Sequence, residues 1–253
     1  MKNNLKAIAV GIAVALLVGC GADAPSMAPD AARNSGNLVM IPNNQNAQNP
    51  AQASAQDPRQ ILSGISTQYQ RIQSLSSNMT TFCTANGKSS SCAVNAYFRK
   101  PGSLSVVITS NTDAKAVGTK VVYQGGTQCN VKTKFFGFAV KLNLAVTDSR
   151  LGSLRGDTLL DTGIVRMMEI LLDPNAKHRI LGNALLDGKP VTILEVISSR
   201  ALKGITREIY YIDNQSKIPC VREMYEGNRM VFKCQFKNVV LNPQVPSSAF
   251  ILD

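Results

Sequence analysis

Six cysteines and one histidine are the side chains of this 253-residue sequence best suited to covalent, redox or metal chemistry. Their spacing limits what that chemistry is. His178 stands alone, which excludes sites built on several imidazoles and His–His acid–base pairs. Any Ser/His/Asp or Cys/His arrangement would need that same imidazole. The sequence has no Gly-x-Ser-x-Gly turn and no Gly-rich phosphate loop. No two cysteines stand at C-x2-C spacing, so the usual zinc frame is missing as well. Carboxylates are sparse, and a pair such as Glu208 with Glu223 is left open until geometry is known. The expectation is a protein that is not an enzyme and holds no cofactor and no metal.

Cys20 differs from the other five cysteines. Lys2 and Lys6 precede an apolar run from Ala7 to Leu16, followed by Leu17-Val18-Gly19-Cys20. The run is too short to cross a hydrocarbon core of about 30 Å, but it suits the apolar region of a signal peptide. The whole order resembles the lipobox of bacterial lipoproteins, in which cleavage before the cysteine leaves a diacylglyceryl thioether. That resemblance implies a signal peptide over residues 1–19, lipidation of Cys20, and a membrane partner held through N-terminal acyl chains. Each buried methylene contributes about 0.8 kcal/mol, so more than one chain makes a lasting anchor. Gly21, where an Asp would favour retention at the inner membrane, leans the expectation toward the outer membrane, with the folded part facing the periplasm.

Residues 20–57 read as a tether. Positions 21–57 hold nine Ala, six Asn, four Gln and four Pro and no aromatic residue. Such a composition has too little apolar area to offset the entropy of ordering. Leu38-Val39-Met40-Ile41 is its one apolar patch, either incidental or a short docking segment. Residues 58–253 form the folded domain and carry every Phe and Tyr. With 24 Lys/Arg against 13 Asp/Glu, they also hold the full net charge of +11. Export directs that charge toward a membrane or wall surface, and nucleic acid is not expected as a partner.

In an exported domain the remaining cysteines are expected to pair. Cys83 and Cys92 flank Asn86-Gly87-Lys88. Cys220 and Cys234 lie seven residues to either side of Gly227, so a three-residue loop would set that pair opposite across a hairpin, and Cys83 and Cys92 are read in the same manner. Disulfides Cys83–Cys92 and Cys220–Cys234 are therefore expected, leaving Cys129 over. In that register Arg222 faces Phe232 on an apolar face. There it could bind a carboxylate or phosphate, clasp a backbone carbonyl that holds a lid shut, or snorkel from an outer face.

Asp57-Pro58-Arg59-Gln60 signals a helix start, and Ile61, Leu62, Ile65, Tyr69 and Ile72 continue it at helical spacing. Period-two alternation marks strands through Leu104, Val106 and Ile108. It recurs along Phe136, Phe138, Val140, Leu142, Leu144 and Val146. Asp187-Gly188, Asp213-Asn214 and Gly227-Asn228 are hairpin signals. An almost wholly apolar helix should start at Asp161-Thr162, run through Met167, Met168 and Leu171, and end at Asp173-Pro174; so apolar a helix must be covered nearly all round. The fold class expected is mainly β (α+β): a curved antiparallel sheet forming a half-open barrel, with an N-terminal helix and an inserted apolar helix covering the concave face.

Several stretches, in order, resemble the LolA/LolB-like family of lipoprotein carriers and receptors, which shares its fold with RseB-like sensors. They are Tyr69-Gln70-Arg71-Ile72-Gln73-Ser74-Leu75, Tyr97-Phe98-Arg99-Lys100-Pro101, Val122-Tyr123-Gln124-Gly125-Gly126, and Val239-Val240-Leu241-Asn242-Pro243 with Val245-Pro246 and Ala249-Phe250. The resemblance implies a hydrophobic cavity binding lipid or lipoprotein acyl chains. Its lining would come from Leu104, Val106, Ile108, Phe136, Phe138, Val140, Leu142, Met167, Met168 and Leu171, with Arg222 at the mouth. The alternative is an envelope sensor or assembly protein that uses the same fold with a filled core and a protein partner.

Overall fold

A computed structural model describes residues 37–41, 57–135 and 137–252. Cys20 and Phe136 lie outside the described residues. One twelve-stranded antiparallel sheet dominates, in the order β1-β8-β9-β10-β11-β12-β2-β3-β4-β5-β6-β7. Its strands are β1 (Leu38–Met40), β2 (Ser74–Ala85), β3 (Lys88–Arg99), β4 (Ser103–Asn111), β5 (Lys120–Tyr123), β6 (Gln128–Phe135), β7 (Phe138–Ala145), β8 (Lys177–Leu186), β9 (Lys189–Ile197), β10 (Arg207–Asp213), β11 (Pro219–Glu226) and β12 (Arg229–Leu241). The helices are α1 (Pro58–Arg71), α2 (Leu159–Thr162) and α3 (Ile164–Leu171). The sheet is curved and unclosed, a half-open barrel with β1 and β7 as its edges.

Helix α1 starts where expected: Pro58 opens it and the Asp57 side chain accepts from Arg59 N at 2.9 Å. Its stripe of Ile61, Leu62, Ile65 and Tyr69 packs with Ile72 against the inner face of the sheet. The expected single helix from Asp161 is instead two. Thr158 and Asp161 form a capping box for α2, and Gly163, in extended backbone (ψ 165°), breaks the path before α3. The long strand expected over 136–147 is shorter, because the β6–β7 turn falls at Gly137, whose φ is +84°. The apolar patch of the tether does dock. β1 pairs with β8 (Leu38↔Leu186), and Asn37 N donates to Asp187 Oδ1 at 3.1 Å.

The turns decide the register, and with it the cysteines. Asn86 (φ 52°) and Gly87 (φ 73°) form a two-residue turn closing Ala85↔Lys88, not the three-residue loop expected. Thr81 therefore faces Cys92, and Cys83 faces Ser90. Gly227 (φ 58°) begins a second two-residue turn closing Glu226↔Arg229, and a bulge follows at Met224/Tyr225. Arg222 then faces Cys234, and Met224 faces Phe232. Cys220 is the extra residue of another bulge, between Tyr211↔Val221 and Ile212↔Pro219, and packs on the outer face. Cys234 packs on the inner face.

The expected disulfides are thus corrected: Cys83, Cys92, Cys129, Cys220 and Cys234 are all free thiols. Cys83 and Cys92 are diagonal neighbours, at a separation of about 7–8 Å that no disulfide spans. Cys220 and Cys234 lie on opposite faces. Burial also pushes the thiols up, Cys129 to about 11 and Cys220 and Cys234 each to about 12, which suppresses the thiolate that oxidation requires.

The turn geometry is testable. A Cβ at Gly87 would meet nothing within 4 Å, so its left-handed backbone is the whole cost of adding one. Gly87→Ala is expected to destabilise the protein by about 1–2 kcal/mol, read as a lower urea midpoint with an unchanged slope.

Candidate functional site

The inner face of the sheet is apolar along almost its whole width, and one continuous segment runs across it beside α1. Residues 149–172, between β7 and β8, lay Leu151 and Leu159 on the β3–β7 half, against Val94, Val106, Ile108, Val121 and Val131. Leu154 reaches the middle, beside Met224 and Phe232. Helix α3 presses Ile164, Met167, Met168 and Leu171 onto Leu194, Tyr210 and Ile212 together with α1. The strap is made from small helical pieces because Gly152, Gly156 and Gly163 interrupt it. The Cβ of any other residue at Gly152 would stand 3.3 Å from the Asp157 carbonyl oxygen.

Polar contacts fix the strap at a few points. Arg155 pairs with Asp157 at 3.1 Å, with Glu226 at the β11–β12 turn, and donates to the Lys203 carbonyl at 2.9 Å. His178 Nε2 bonds the Leu171 carbonyl at the end of α3 at 2.8 Å. Ser198 Oγ donates to Asp173 Oδ2 at 2.6 Å. The single imidazole, on β8, thus holds the end of the strap.

Beneath the strap a row of partners runs across the inner face through Ile180, Leu194, Tyr210, Arg222, Cys234, Thr81, Cys92 and Asn111. Arg222, 0% exposed, sits at its centre. Its Nε and Nη2 grip the Glu208 carboxylate at 2.8 and 2.9 Å. Tyr210 OH donates to the same carboxylate. The remaining Arg222 Nη1 donates to the Asp161 carbonyl in α2 at 3.3 Å. Burial opposes the charged guanidinium, but attraction from the Tyr210 and Glu208 oxygens outweighs it and raises the pKa. Burial likewise lifts the Tyr210 phenol well above its ordinary value. Of the roles the sequence allowed Arg222, the structure realises two at once: the carboxylate is the protein's own Glu208, and the carbonyl belongs to the covering strap.

The other predicted site residues are only partly brought together. Met167, Met168 and Leu171 are 1%, 2% and 0% exposed in the α3 cluster, and Val106 and Ile108 are 3% and 1% exposed in the other. Leu104 and Leu142 flank that second cluster, and Val140 is half-buried on the edge strand. Phe138 is 76% exposed on the β6–β7 hairpin. The structure packs these residues into two of the three clusters beneath the strap. A cleft of about 320 Å³ is lined by Leu186, Val191, Ile218, Cys220, Gln235 and Lys237. Another, of about 490 Å³, is lined by Val122, Gln124, Lys141, Leu142 and Phe250. Of the expected acyl contacts, only Leu142 borders either. Glu208 and Glu223 point to opposite faces, since Ile209 faces Glu223 and Met224 faces Glu208. Among the described residues no group of three or more His, Cys, Asp or Glu is placed to hold a metal ion. The strap contacts Leu151, Leu154, Leu159 and Asp161 were not read from the sequence. The Thr158-x-x-Asp161 capping pattern was the available signal.

No family model matches the chain, and no curated protein matches it. The curved sheet with inserted helices is similar to several solved structures. One is a putative outer membrane lipoprotein-sorting protein domain from Vibrio parahaemolyticus, with TM-score 0.42 and 10% identity, covering 77% of this chain and 97% of that one. Another is a LolA superfamily protein from Nitrosomonas europaea, with TM-score 0.35 and 12% identity, covering 77% and 97%. A third is the Mycobacterium tuberculosis lipoprotein LppX, with TM-score 0.44 and 15% identity, covering 74% and 98%.

Two outcomes follow from the strap contacts. Arg222→Met leaves Glu208 buried without its cation and is expected to cost about 3–5 kcal/mol, while adding Glu208→Leu restores most of the loss; a double-mutant cycle in denaturant reads both. The Arg155 hydrogen bond holds the Glu226 carboxyl below its ordinary value. The folded value is therefore the lower one. The contact's stabilisation is complete above the unfolded value of about 4.3 and is lost as pH falls through the folded value. Acid unfolding of Glu226→Gln should lack that component.

Proposed function

We propose that this chain is an exported lipoprotein, acylated at Cys20 and held at the outer membrane, whose domain of residues 58–253 takes up an acyl chain of a lipid or lipoprotein beneath the strap. The observation that carries the reading is that residues 149–172, together with α1, cover an apolar sheet face and are themselves apolar where they touch it. An acyl chain entering there exchanges one apolar contact for another at about 25 cal/mol per Å² on either side, so displacement is nearly balanced. The buried charges favour the same exchange. Glu208 and Arg222 pair within the sheet, so lifting α2 breaks the 3.3 Å bond from Arg222 to the Asp161 carbonyl and leaves the ion pair itself in place. Met167 and Met168 at the centre of α3 suit a surface that repacks.

Native mass spectrometry of the full chain, extracted in mild detergent, is expected to show a lipid mass beyond the N-terminal modification. Arg155→Ala, which frees the strap from Glu226, is expected to raise uptake of a fluorescent fatty acid several-fold. Neither adduct nor uptake in either protein would overturn the acyl-binding reading. The near-complete burial of Met167, Met168 and Leu171 favours a second reading, a sensor or assembly lipoprotein whose strap stays down. That reading expects no bound lipid and a specific envelope protein captured by crosslinking.

A further inference from the structure

Three buried side-chain atoms among the described residues have no hydrogen-bond partner: Ser77 Oγ, Asn111 Nδ2 and Gln235 Oε1. Of these residues, only Gln235 lines either of the clefts described above. It is 2% exposed and stands in the wall of the cleft of about 320 Å³. Cys234 points inward, so Gln235 points to the face of the sheet away from the strap. A buried amide oxygen without a partner destabilises a fold, because it has left water and gained no bond in return. Val221, its neighbour on β11, shows that an apolar side chain suits this face. We propose that the cleft binds a short zwitterionic peptide, of the size of a dipeptide, whose amide N–H donates to Gln235 Oε1.

The cleft forms where the β8–β9 and β10–β11 turns come against β12. Lys237 on β12 reaches Asp187 in the β8–β9 turn at 3.6 Å, which ties two of its walls together. Leu186 and Val191 make it apolar, and a few polar groups stand among them, the usual composition of a small-molecule site. Two of those groups are charges that the protein leaves unmatched. Among the described residues Lys189 has no acidic partner and Asp213 no basic one. Asp213 Oδ1 accepts from the backbone N–H groups of Gln215 and Ser216 at 2.9 and 2.7 Å. Asp213 faces Val191, and Lys189 lies two residues along β9 on the same face. The two are therefore diagonal neighbours, about 7–8 Å apart. Two residues of extended peptide span about 7 Å. An ammonium group at Asp213 and a carboxylate at Lys189 leave the one amide between them for Gln235. A free amino acid carries both charges but is half as long and has no amide. A phosphoethanolamine headgroup is zwitterionic and also lacks the amide N–H.

The full chain is titrated with alanyl-alanine by isothermal titration calorimetry, and binding is expected. Three probes each lack one feature: N-acetyl-alanyl-alanine the ammonium, alanyl-alanine amide the carboxylate, and glycerophosphoethanolamine the amide. Each should bind about tenfold more weakly or worse. Gln235→Leu should weaken alanyl-alanine binding by about tenfold and raise the urea midpoint of unfolding, because the unpaired amide is gone. A Gln235 with a purely structural role would instead give a lower midpoint. Asp213→Asn keeps the acceptor that the turn uses. It should weaken alanyl-alanine binding about fivefold and leave N-acetyl-alanyl-alanine no weaker. No binding of alanyl-alanine at millimolar concentration, equal binding of glycerophosphoethanolamine, or a Gln235→Leu protein that binds like the parent or unfolds at a lower midpoint would each overturn the proposal. None of these outcomes depends on whether the inner face binds an acyl chain.

Discussion

A guanidinium can lie fully buried in a β-sheet core only if every one of its charged edges is met. Arg222 achieves this with two bonds to Glu208 and one to the backbone of the covering strap. Breaking such a pair by removing one member is costly, whereas forming it adds little net stability over apolar packing. Its consequence here is positional. With Glu208 and Tyr210 on β10 and Arg222 on β11, the pair fixes the register of the central strands and marks where α2 crosses them. The apolar contacts of Leu151, Leu159 and α3 then fall to either side of that point.

The strap resolves a conflict built into a wide curved sheet. An inner face this apolar cannot stay solvated, and the sheet does not close on itself to cover it. Residues 149–172 cover it with short pieces rather than one long helix, because Gly152, Gly156 and Gly163 interrupt the segment. The outer face is handled differently. The C-terminal segment runs along β4–β7, where buried Ser105 donates to the Ala249 carbonyl at 2.7 Å and Phe250 lies under Arg99. Farther along, Glu195 is held between Arg179 and Arg207, and Glu223 pairs with Lys233 and accepts from the Tyr225 hydroxyl.

The two sheet edges are protected by different means. Edge strands present unpaired backbone groups and invite association. At one edge β1, drawn from the Ala- and Asn-rich N-terminal segment, supplies the missing ladder to β8. At the other, β7 carries Lys141 and Asn143 on its outward face and bears the hairpin with Phe138 at its end. Charge blocks pairing along the strand.

Much of the architecture was readable in the residues, and what was not readable depends on register and on distant contacts. Helix α1, the hairpins at Asp187-Gly188 and Gly227-Asn228, the mainly antiparallel plan and the inserted apolar segment all follow from local rules: capping, period and turn chemistry act over a few residues. The cysteine pairing failed because a three-residue loop was assumed where Asn86-Gly87 and Gly227-Asn228 make two-residue turns, and the bulges at Met224/Tyr225 and Tyr211/Ile212 added further offsets. Each slip moves a residue along its partner strand or onto the other face. The covering of the inner face was not readable because alternation names the face a residue points to, not what lies on top of it. By itself, then, the sequence determined the period and polarity of the elements, since these are set by neighbours in the chain. The tertiary structure alone decided that Arg222 meets Glu208, that the thiols stay apart, and that the strap fills the concave face. Those outcomes depend on register and on contacts between residues far apart in the chain, such as the 61 positions separating Arg222 from Asp161.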